Sequence, residues 1–354
     1  MYGNALYAAS SRGHDQVVRM LLDKGADVNA QCGEYGNALY AASEEGHDQV
    51  VQMLLDKGPD VNARDKGPDV NARGGRYGNA LQAASEEGHD KVVGMLLDKG
   101  ADVNAQGGMY GNALYAASLR GHDQVVRMLL DKGTDVNAQG RRYGNALQAA
   151  ASRGHDQVVR MLLDKGADVN AQCGEYGNAL QAASSRGDDE VVQMLLDKGA
   201  DVNAQGGVYG NALYGNALYA ASSRGHDQRV QMLLDKGADV NARRGRYGNA
   251  LYAASSRGHD QRVHMLLDKG ADVNARGGRY GNALYAASSR GHVQVVRMLL
   301  DKGADVNARG GVYGNALQAA SEEGPDKGVR TLLDKGADDN AQGGVYGNAL
   351  YAAS

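Results

Sequence analysis

Eight histidines recur at one register of this 354-residue chain: His14, His47, His89, His122, His155, His226, His259 and His292. Most have a serine or arginine shortly before them and an aspartate after them, as in Ser11, His14 and Asp15. Such a column could build a metal ladder or a series of nucleophile–base pairs. Spacing argues against both. Neighbouring histidines are mostly 33 residues apart, which places them in successive layers roughly 10 Å apart, whereas ligands of one zinc sit about 2 Å from it. Each histidine is therefore expected to be hydrogen-bonded at a helix start, with Asp188 and Pro325 replacing it in two copies and His264 a surface variant. The Ser, His and Asp of each copy follow helix ends and bring no third, orienting partner from elsewhere, so no catalytic triad is expected. Asp102, Asn104, Gln106 and Gly107 have the alternation of a calcium loop, but the twelfth position, which needs an acid, is Ala113. No GxxxxGK[ST] or strand-borne GxGxxG occurs. The expectation is no catalytic residue, no metal and no cofactor.

These residues are carried by a repeat. YGNAL begins at Tyr2, Tyr35, Tyr77, Tyr110, Tyr143, Tyr176, Tyr214, Tyr247, Tyr280, Tyr313 and Tyr346, with a period of 33 residues. A fixed period of this length means one supersecondary unit stacked on its copies, none able to bury its apolar faces alone. The reading is one array over 1–354, divided into repeats 1–34, 35–76, 77–109, 110–142, 143–175, 176–208, 209–246, 247–279, 280–312, 313–345 and a truncated 346–354. Two breaks are local duplications: Asp56 to Arg64 is written again as Asp65 to Arg73, and Tyr209 to Leu213 again from Tyr214. Extra loop length costs little closure entropy, so neither should destroy the stack. Pro59 and Pro68 favour a protruding loop over an added layer.

Within the fourth repeat, Asn112 is placed to cap a short helix from Ala113, and Gly121 to end it. A second helix spans about His122 to Lys132, with Asp123 in its first turn and Lys132 in its last, both favourable to the helix dipole. Val125, Val126, Met128, Leu129 and Leu130 predict a helix with little polar face, buried between layers. The stretch from Thr134 to Gly144 reads as a projecting finger. Phe and Trp are absent, so Ala, Val, Leu and Met must do the packing. The 19 tyrosines fall in two columns, one before the first helix and one, alternating with Gln82, Gln148, Gln181 and Gln318, within it. They serve either ring packing with a satisfied hydroxyl or contact with a partner.

LLDKGADVNA at Leu299 to Ala308 and GHDQVV at Gly13 to Val18 resemble the ankyrin repeat, and NALYAA at Asn4 to Ala9 lies where that family has Thr-Pro-Leu-His. The likeness covers essentially the whole chain, and the YGNAL form is similar to ankyrin arrays of filamentous fungi, often attached to receptor-like NTPases. It implies an all-α solenoid of helix-turn-helix units with finger turns, ten full units and a truncated eleventh. Asn or Ala in place of Thr and Pro, and Tyr or Gln in place of His, require substitute hydrogen bonds from Asn caps and from Tyr or Gln reaching neighbouring backbone. Gly-Gly and Tyr-Gly take over the turning of the finger.

Comparison of the copies shows where function can sit. Core columns are almost constant. Variation gathers at the end of the first helix, with Arg12, Glu44, Glu45, Glu86, Glu87, Arg120, Arg186, Arg224, Arg257 and Arg290, and in the finger, with Glu34, Arg76, Met109, Arg141, Arg142, Arg243, Arg244, Arg246, Arg276, Arg279 and Arg309. In ankyrin proteins these positions line the concave groove that holds partners. The resemblance thus implies a non-catalytic scaffold or recognition module with a protein partner. Two alternatives stand beside it: a binder of an anionic partner or nucleic acid through repeats seven to nine, and a recently expanded, non-functional gene fragment. Net charge is −4, yet Tyr214 to Val312 holds 15 Lys or Arg against 8 Asp, while the remainder holds 23 against 34 acids. Nucleic acid is disfavoured because base-stacking aromatics are not interleaved in the basic fingers. Apolar runs are far too short to span a membrane, and no signal peptide is evident at the start. Cys32 and Cys173 are four layers apart, beyond disulfide reach. An intracellular setting is expected, with the nucleus and cytoplasm undistinguished. The chain opens and stops without a polar cap, so it reads as a module of a larger polypeptide, with self-association through uncapped ends a further expectation. Repeat ten, carrying Pro325, Gly328, Thr331 and Asp339 at core columns, is expected to fray first.

Overall fold

The computed structural model describes residues 4–32, 36–57, 71, 78–140, 144–174, 177–204, 216–243, 248–277, 281–310, 314–323 and 326–341. The chain forms two compact units, Met1–Glu175 and Tyr176–Ser354. Among the described residues it is all-helical, with paired helices and no strand. The first unit holds α1 (Ala5–Ser11), α2 (Asp15–Asp23), α3 (Ala38–Glu44), α4 (Asp48–Asp56), α5 (Ala80–Glu87), α6 (Asp90–Asp98), α7 (Ala113–Arg120), α8 (Asp123–Asp131), α9 (Ala146–Arg153) and α10 (Asp156–Asp164). The second holds α11 (Ala179–Arg186), α12 (Asp189–Asp197), α13 (Ala217–Arg224), α14 (Asp227–Asp235), α15 (Ala250–Ser256), α16 (Asp260–Asp268), α17 (Ala283–Ser288), α18 (Val293–Asp301), α19 (Ala316–Glu323) and α20 (Asp326–Asp334).

The local rules act as expected. Asn112 is extended, and its Oδ1 accepts the Tyr115 amide at 2.7 Å, so α7 starts where a freed N–H finds a partner. Where the third helical residue is Gln, its Oε1 accepts in turn from the cap amide, as between Gln82 and Asn79. Gly88 ends α5 at φ 80°, and the His122 ring of the next repeat lies where a Cβ would stand, 2.5 Å away. Glycine is required there twice over, for its backbone angle and for its missing side chain.

The burial pattern corrects one expectation. The second helices are not apolar all round: in α8, Val125, Val126, Leu129 and Leu130 are buried, but Gln124, Arg127 and Asp131 are exposed. At 3.6 residues per turn these apolar positions share one stripe, leaving a solvated outer face. The fully packed helices are the first ones. In α7 every residue from Ala113 to Leu119 is buried, because alanine lets the first helices of neighbouring repeats approach closely. One cost is visible. The hydroxyls of Ser10, Ser43, Ser85, Ser118, Ser184, Ser222, Ser255 and Ser288 are buried with no hydrogen-bond partner among the described residues.

Among the described residues, charged pairs between layers persist across both duplications. Lys132 meets Asp98 across 34 residues of sequence, and Lys99 meets Asp56 across 43, at nearly the same distance. Arg262 reaches Asp227 across 35 residues and Arg229 reaches Asp189 across 40. Separation grows by the inserted length, nine and five residues, and the pairing stays. Asn71, in the second copy of the nine-residue duplication, accepts the Asp102 amide at 2.7 Å, the bond that Asn104 gives Asp135. Asn71 is thus in register with the next repeat. Residues 58–70 and the first YGNAL copy lie outside the described residues.

Repeat ten also differs from expectation. Asp339 is exposed, and the partly exposed Thr331 gives its hydroxyl to the Lys327 carbonyl at 2.8 Å, so neither is an unsatisfied buried polar group. Gly328 is buried. Pro325 lies outside the described residues.

Candidate interaction surface

The residues that first suggested chemistry hold layers together. His122 Nε2 lies 2.7 Å from the Glu86 carbonyl of the preceding repeat, and His47, His89, His155 and His292 repeat the contact at 3.0 to 3.3 Å. The histidines do bond at a helix start, but across the layer and not as caps of their own helix. No group of three or more His, Cys, Asp or Glu suited to a metal is found among the described residues. In the DVN segment, Asp102 Oδ1 accepts the Asn104 amide, and Asn104 Oδ1 accepts the Asp135 amide of the next repeat. Asn274 also donates to the Gly303 carbonyl at 3.1 Å. The motif is a ladder between loops. Within each unit a second ladder pairs the lysine after a second helix with the preceding repeat's aspartate, as Lys132 with Asp98 at 3.0 Å and Lys269 with Asp235 at 3.0 Å. The Gln231 amide and then Lys269 hold the Asp235 carboxyl below its usual range.

The expected substitutes for the family's Thr and His bonds are present. Gln82 Nε2 donates to the carbonyls of Ala105 and Gly111, and Gln181 to that of Ala204. Tyrosine works by shape. A Cβ at Gly140 would fall 2.1 Å from the Tyr115 ring, so the finger carries glycine where the ring lies beneath it. Finger bases close through pairs such as the Gly310 amide on the Gly314 carbonyl at 2.7 Å. Cys32 and Cys173 are free thiols, and burial pushes the Cys173 thiol up while its Sγ donates to Gln148 Oε1.

Of the variable positions, Arg12, Glu45, Glu87, Met109, Arg120, Arg186, Arg224, Arg243, Arg257, Arg276, Arg290 and Arg309 are exposed, while Glu44 and Glu86 are half-buried. Glu34, Arg76, Arg141, Arg142, Arg244, Arg246 and Arg279 lie outside the described residues. Two candidates are spent on each other: Glu86 Oε1 accepts from Arg120 at 2.8 Å and from the Tyr110 hydroxyl at 2.5 Å. Glu44 is crowded. Burial first, and then Glu45, Glu86 and Glu87, push its carboxyl up. In the second unit a cleft of about 600 Å³ is lined by Asn274, Arg276, Asn282, Asp305, Arg309 and Gly310.

Two arginines absent from the candidate set change the charge count. Arg229 and Arg262 stand where most repeats have valine and are 2% and 5% exposed. Arg229 Nη2 is 2.8 Å from Asp189 Oδ1, and Arg262 Nε is 2.6 Å from Asp227 Oδ1. Their Nη1 atoms reach the carbonyls of Ser184 and Ser222. Neither belongs to a surface strip. The only sequence signal was the exchange of valine for arginine at a core column. Burial, followed by the adjacent Arg229 and Arg262, holds His226 and His259 respectively below the ordinary imidazole range.

Family models of ankyrin repeats match 2–65, 66–140, 114–206 and 277–343 in one form, described as three copies, and 217–259 and 250–300 in another, described as many copies. The solved ankyrin repeat domain of human ASB11 is similar in fold, with a TM-score of 0.56 at 23% identity, covering 67% of this chain and 99% of that one. A search of curated proteins gave no match. Ankyrin repeats are typically non-catalytic protein-interaction modules, and no helix among the described residues is long and apolar enough to cross a membrane. The chain belongs to the ankyrin repeat family.

Proposed function

We propose that this chain is a protein-binding scaffold whose partner is recognised by the ends of the first helices and by the fingers, and that the second compact unit reads an acidic segment of that partner. The observation that carries the reading is the contrast between columns. Residues that face neighbouring layers are nearly identical in every copy, whereas the exposed helix-end positions change and do so by charge, to Glu45 and Glu87 in one stretch and to Arg224, Arg257 and Arg290 in another. The lysines of repeats seven to nine are engaged by the aspartates of preceding layers, as Lys236, Lys269 and Lys302 show. Arg224, Arg257 and Arg290 are left for a partner, and guanidinium pairs well with carboxylates. Anisotropy titration with a labelled poly-glutamate peptide tests this. Arg224, Arg257 and Arg290 changed together to Glu should weaken binding by roughly tenfold or more and flatten its salt dependence. Affinity unchanged from low to high salt in both forms would sink the acidic-partner reading. Tighter binding of duplex DNA than of the peptide would favour the nucleic-acid alternative.

A further inference from the structure

We propose that the cleft between the fingers of repeats eight and nine is a seat for one carboxylate side chain of a protein partner, held by the guanidiniums of Arg276 and Arg309 and the side-chain amide of Asn282. The inference rests on the reading that the second unit binds an acidic segment, and it adds the place where a single acid of that segment is fixed.

The cleft follows from local sequence. Arg276 pairs with Asn282 in an isolated antiparallel bridge across the finger base, which sets the two side chains on one side of it. Arg309 holds the same position one layer on. Between the two fingers the backbone comes close at glycines. A Cβ on Gly310 would fall 2.9 Å from the Gly281 α-carbon, so a larger residue there would displace one finger from the other. The space that results, about 600 Å³, is of the size that takes a side chain together with its flanking backbone.

Its lining offers donors that have nothing to donate to. Arg276 and Arg309 are exposed, and neither meets a carboxylate among the described residues. A guanidinium donates and never accepts. Asn282 is 6% exposed; its Oδ1 accepts the Tyr285 amide at 2.8 Å, and its Nδ2 has no acceptor among the described residues. In repeat four the same amide is engaged, Asn112 Nδ2 donating to the Gln139 carbonyl at 3.4 Å. Asn274 is also engaged at both ends, its Oδ1 accepting the Asp305 amide and its Nδ2 donating to the Gly303 carbonyl, so it serves as a fixed wall.

These groups select a ligand that only accepts and carries negative charge, as a carboxylate does. Asp305 is the one acid among the described lining residues, and its Oδ1 accepts the Asn307 amide at 2.9 Å. Two guanidiniums against one carboxylate leave a single positive charge, which one further carboxylate neutralises. A phosphate monoester carries about −1.5 to −2 at pH 7 and would set its excess charge against Asp305. A glutamate or aspartate side chain is the better match. In most other repeats the position of the two arginines is glutamine, as at Gln106, Gln139 and Gln172, so the charge distinguishes this stretch from the rest of the array.

Anisotropy titration of the full chain with a labelled poly-glutamate peptide tests the proposal. Arg276→Gln with Arg309→Gln, which installs the residue of most repeats, should weaken binding by roughly tenfold with the melting temperature unchanged. Asn282→Asp keeps the capping oxygen, removes the free donor, and should weaken binding several-fold. Arg243→Gln, the same charge change one layer away and outside the lining, should have a much smaller effect than Arg276→Gln alone. Equal losses at Arg243, Arg276 and Arg309 would reveal a diffuse basic surface and overturn the seat. Tighter binding of a phosphoserine peptide than of the glutamate peptide would overturn it too. Affinity that withstands the changes at Arg276, Arg309 and Asn282 but falls on reversing Arg224, Arg257 and Arg290 overturns the seat and leaves the acidic-partner reading standing, whereas no binding of the peptide by the unaltered chain overturns both.

Discussion

Arg262 lies almost wholly out of water, yet its guanidinium meets one carboxylate oxygen and one backbone carbonyl of the layer below. Such a pair is stable only as a pair. Removing one partner strands a buried charge, while replacing both with apolar groups is often neutral or favourable. Asp227→Ala should therefore destabilise the protein by about 2 kcal/mol, below the full penalty for a buried ion because the Asp227 side chain is 38% exposed. Arg262→Val, which restores the residue of most repeats, should cost less, and the double change should recover most of the loss. Urea denaturation of the three variants measures the coupling; equal losses for both single changes with simple addition in the double would show that the two groups act separately. Residue-scale chemistry was only partly legible. Asn112 and Gly121 act through their own backbone and so announce themselves, whereas Arg229 and Arg262 depend on an aspartate one layer away, and arginine is by default a surface residue. The pairing of Glu86 with Arg120 was hidden for the same reason, since each looks free until the neighbouring layer is in place.

At the scale of the element, helix starts and stops were readable because capping needs particular residue types at particular places. Burial was not. Val125, Val126, Leu129 and Leu130 looked like a helix without a polar side, but which of two helices is enclosed depends on how repeats stack, and the alanines of α7 decide it. The described residues of the nine-residue duplication share the contacts of one ordinary repeat between the two copies. Asp56 and Lys57 of the first copy face the neighbouring layers, and Asn71 of the second copy holds the ladder to Asp102. Because the copies have the same sequence, deleting either gives the same protein, one with an ordinary repeat. Its melting temperature should equal or slightly exceed that of the parent, since the loop-closure term changes by well under 1 kcal/mol. A fall of many degrees would mean that residues 58–70 contribute packing.

Across the whole molecule, stability is a sum of like terms, one set per layer. The buried serine hydroxyls make this measurable. A buried hydroxyl without a partner costs about 1–3 kcal/mol, and repeat five already has Ala151 in place of that serine, fully buried. Changing Ser43, Ser118, Ser222 and Ser288 to Ala, singly and then together, should raise the denaturation midpoint stepwise, with nearly additive gains because the sites lie in separate layers. A loss at any position would show that its hydroxyl has a role that the fold does not display. The period of 33 residues made this scale the most legible of the three, since a repeat that cannot stand alone must stack.

Within each unit, the ladders join most neighbouring layers through the same few bonds: histidine to carbonyl, lysine to aspartate, asparagine to amide. A layer therefore has little means of telling its proper neighbour from the one beyond it. During folding, a repeat that docks one place out of step would gain much of the correct energy while expelling a whole repeat as a loop, and the tolerance shown at the duplications means that the loop itself raises little objection. Arg229 and Arg262 are exceptions to this sameness, because a guanidinium set against the wrong layer would have to find its carboxylate there or unfold and try again. On this view the two buried pairs act as proofreading marks, slowing the escape of correctly stacked layers and hastening the escape of slipped ones.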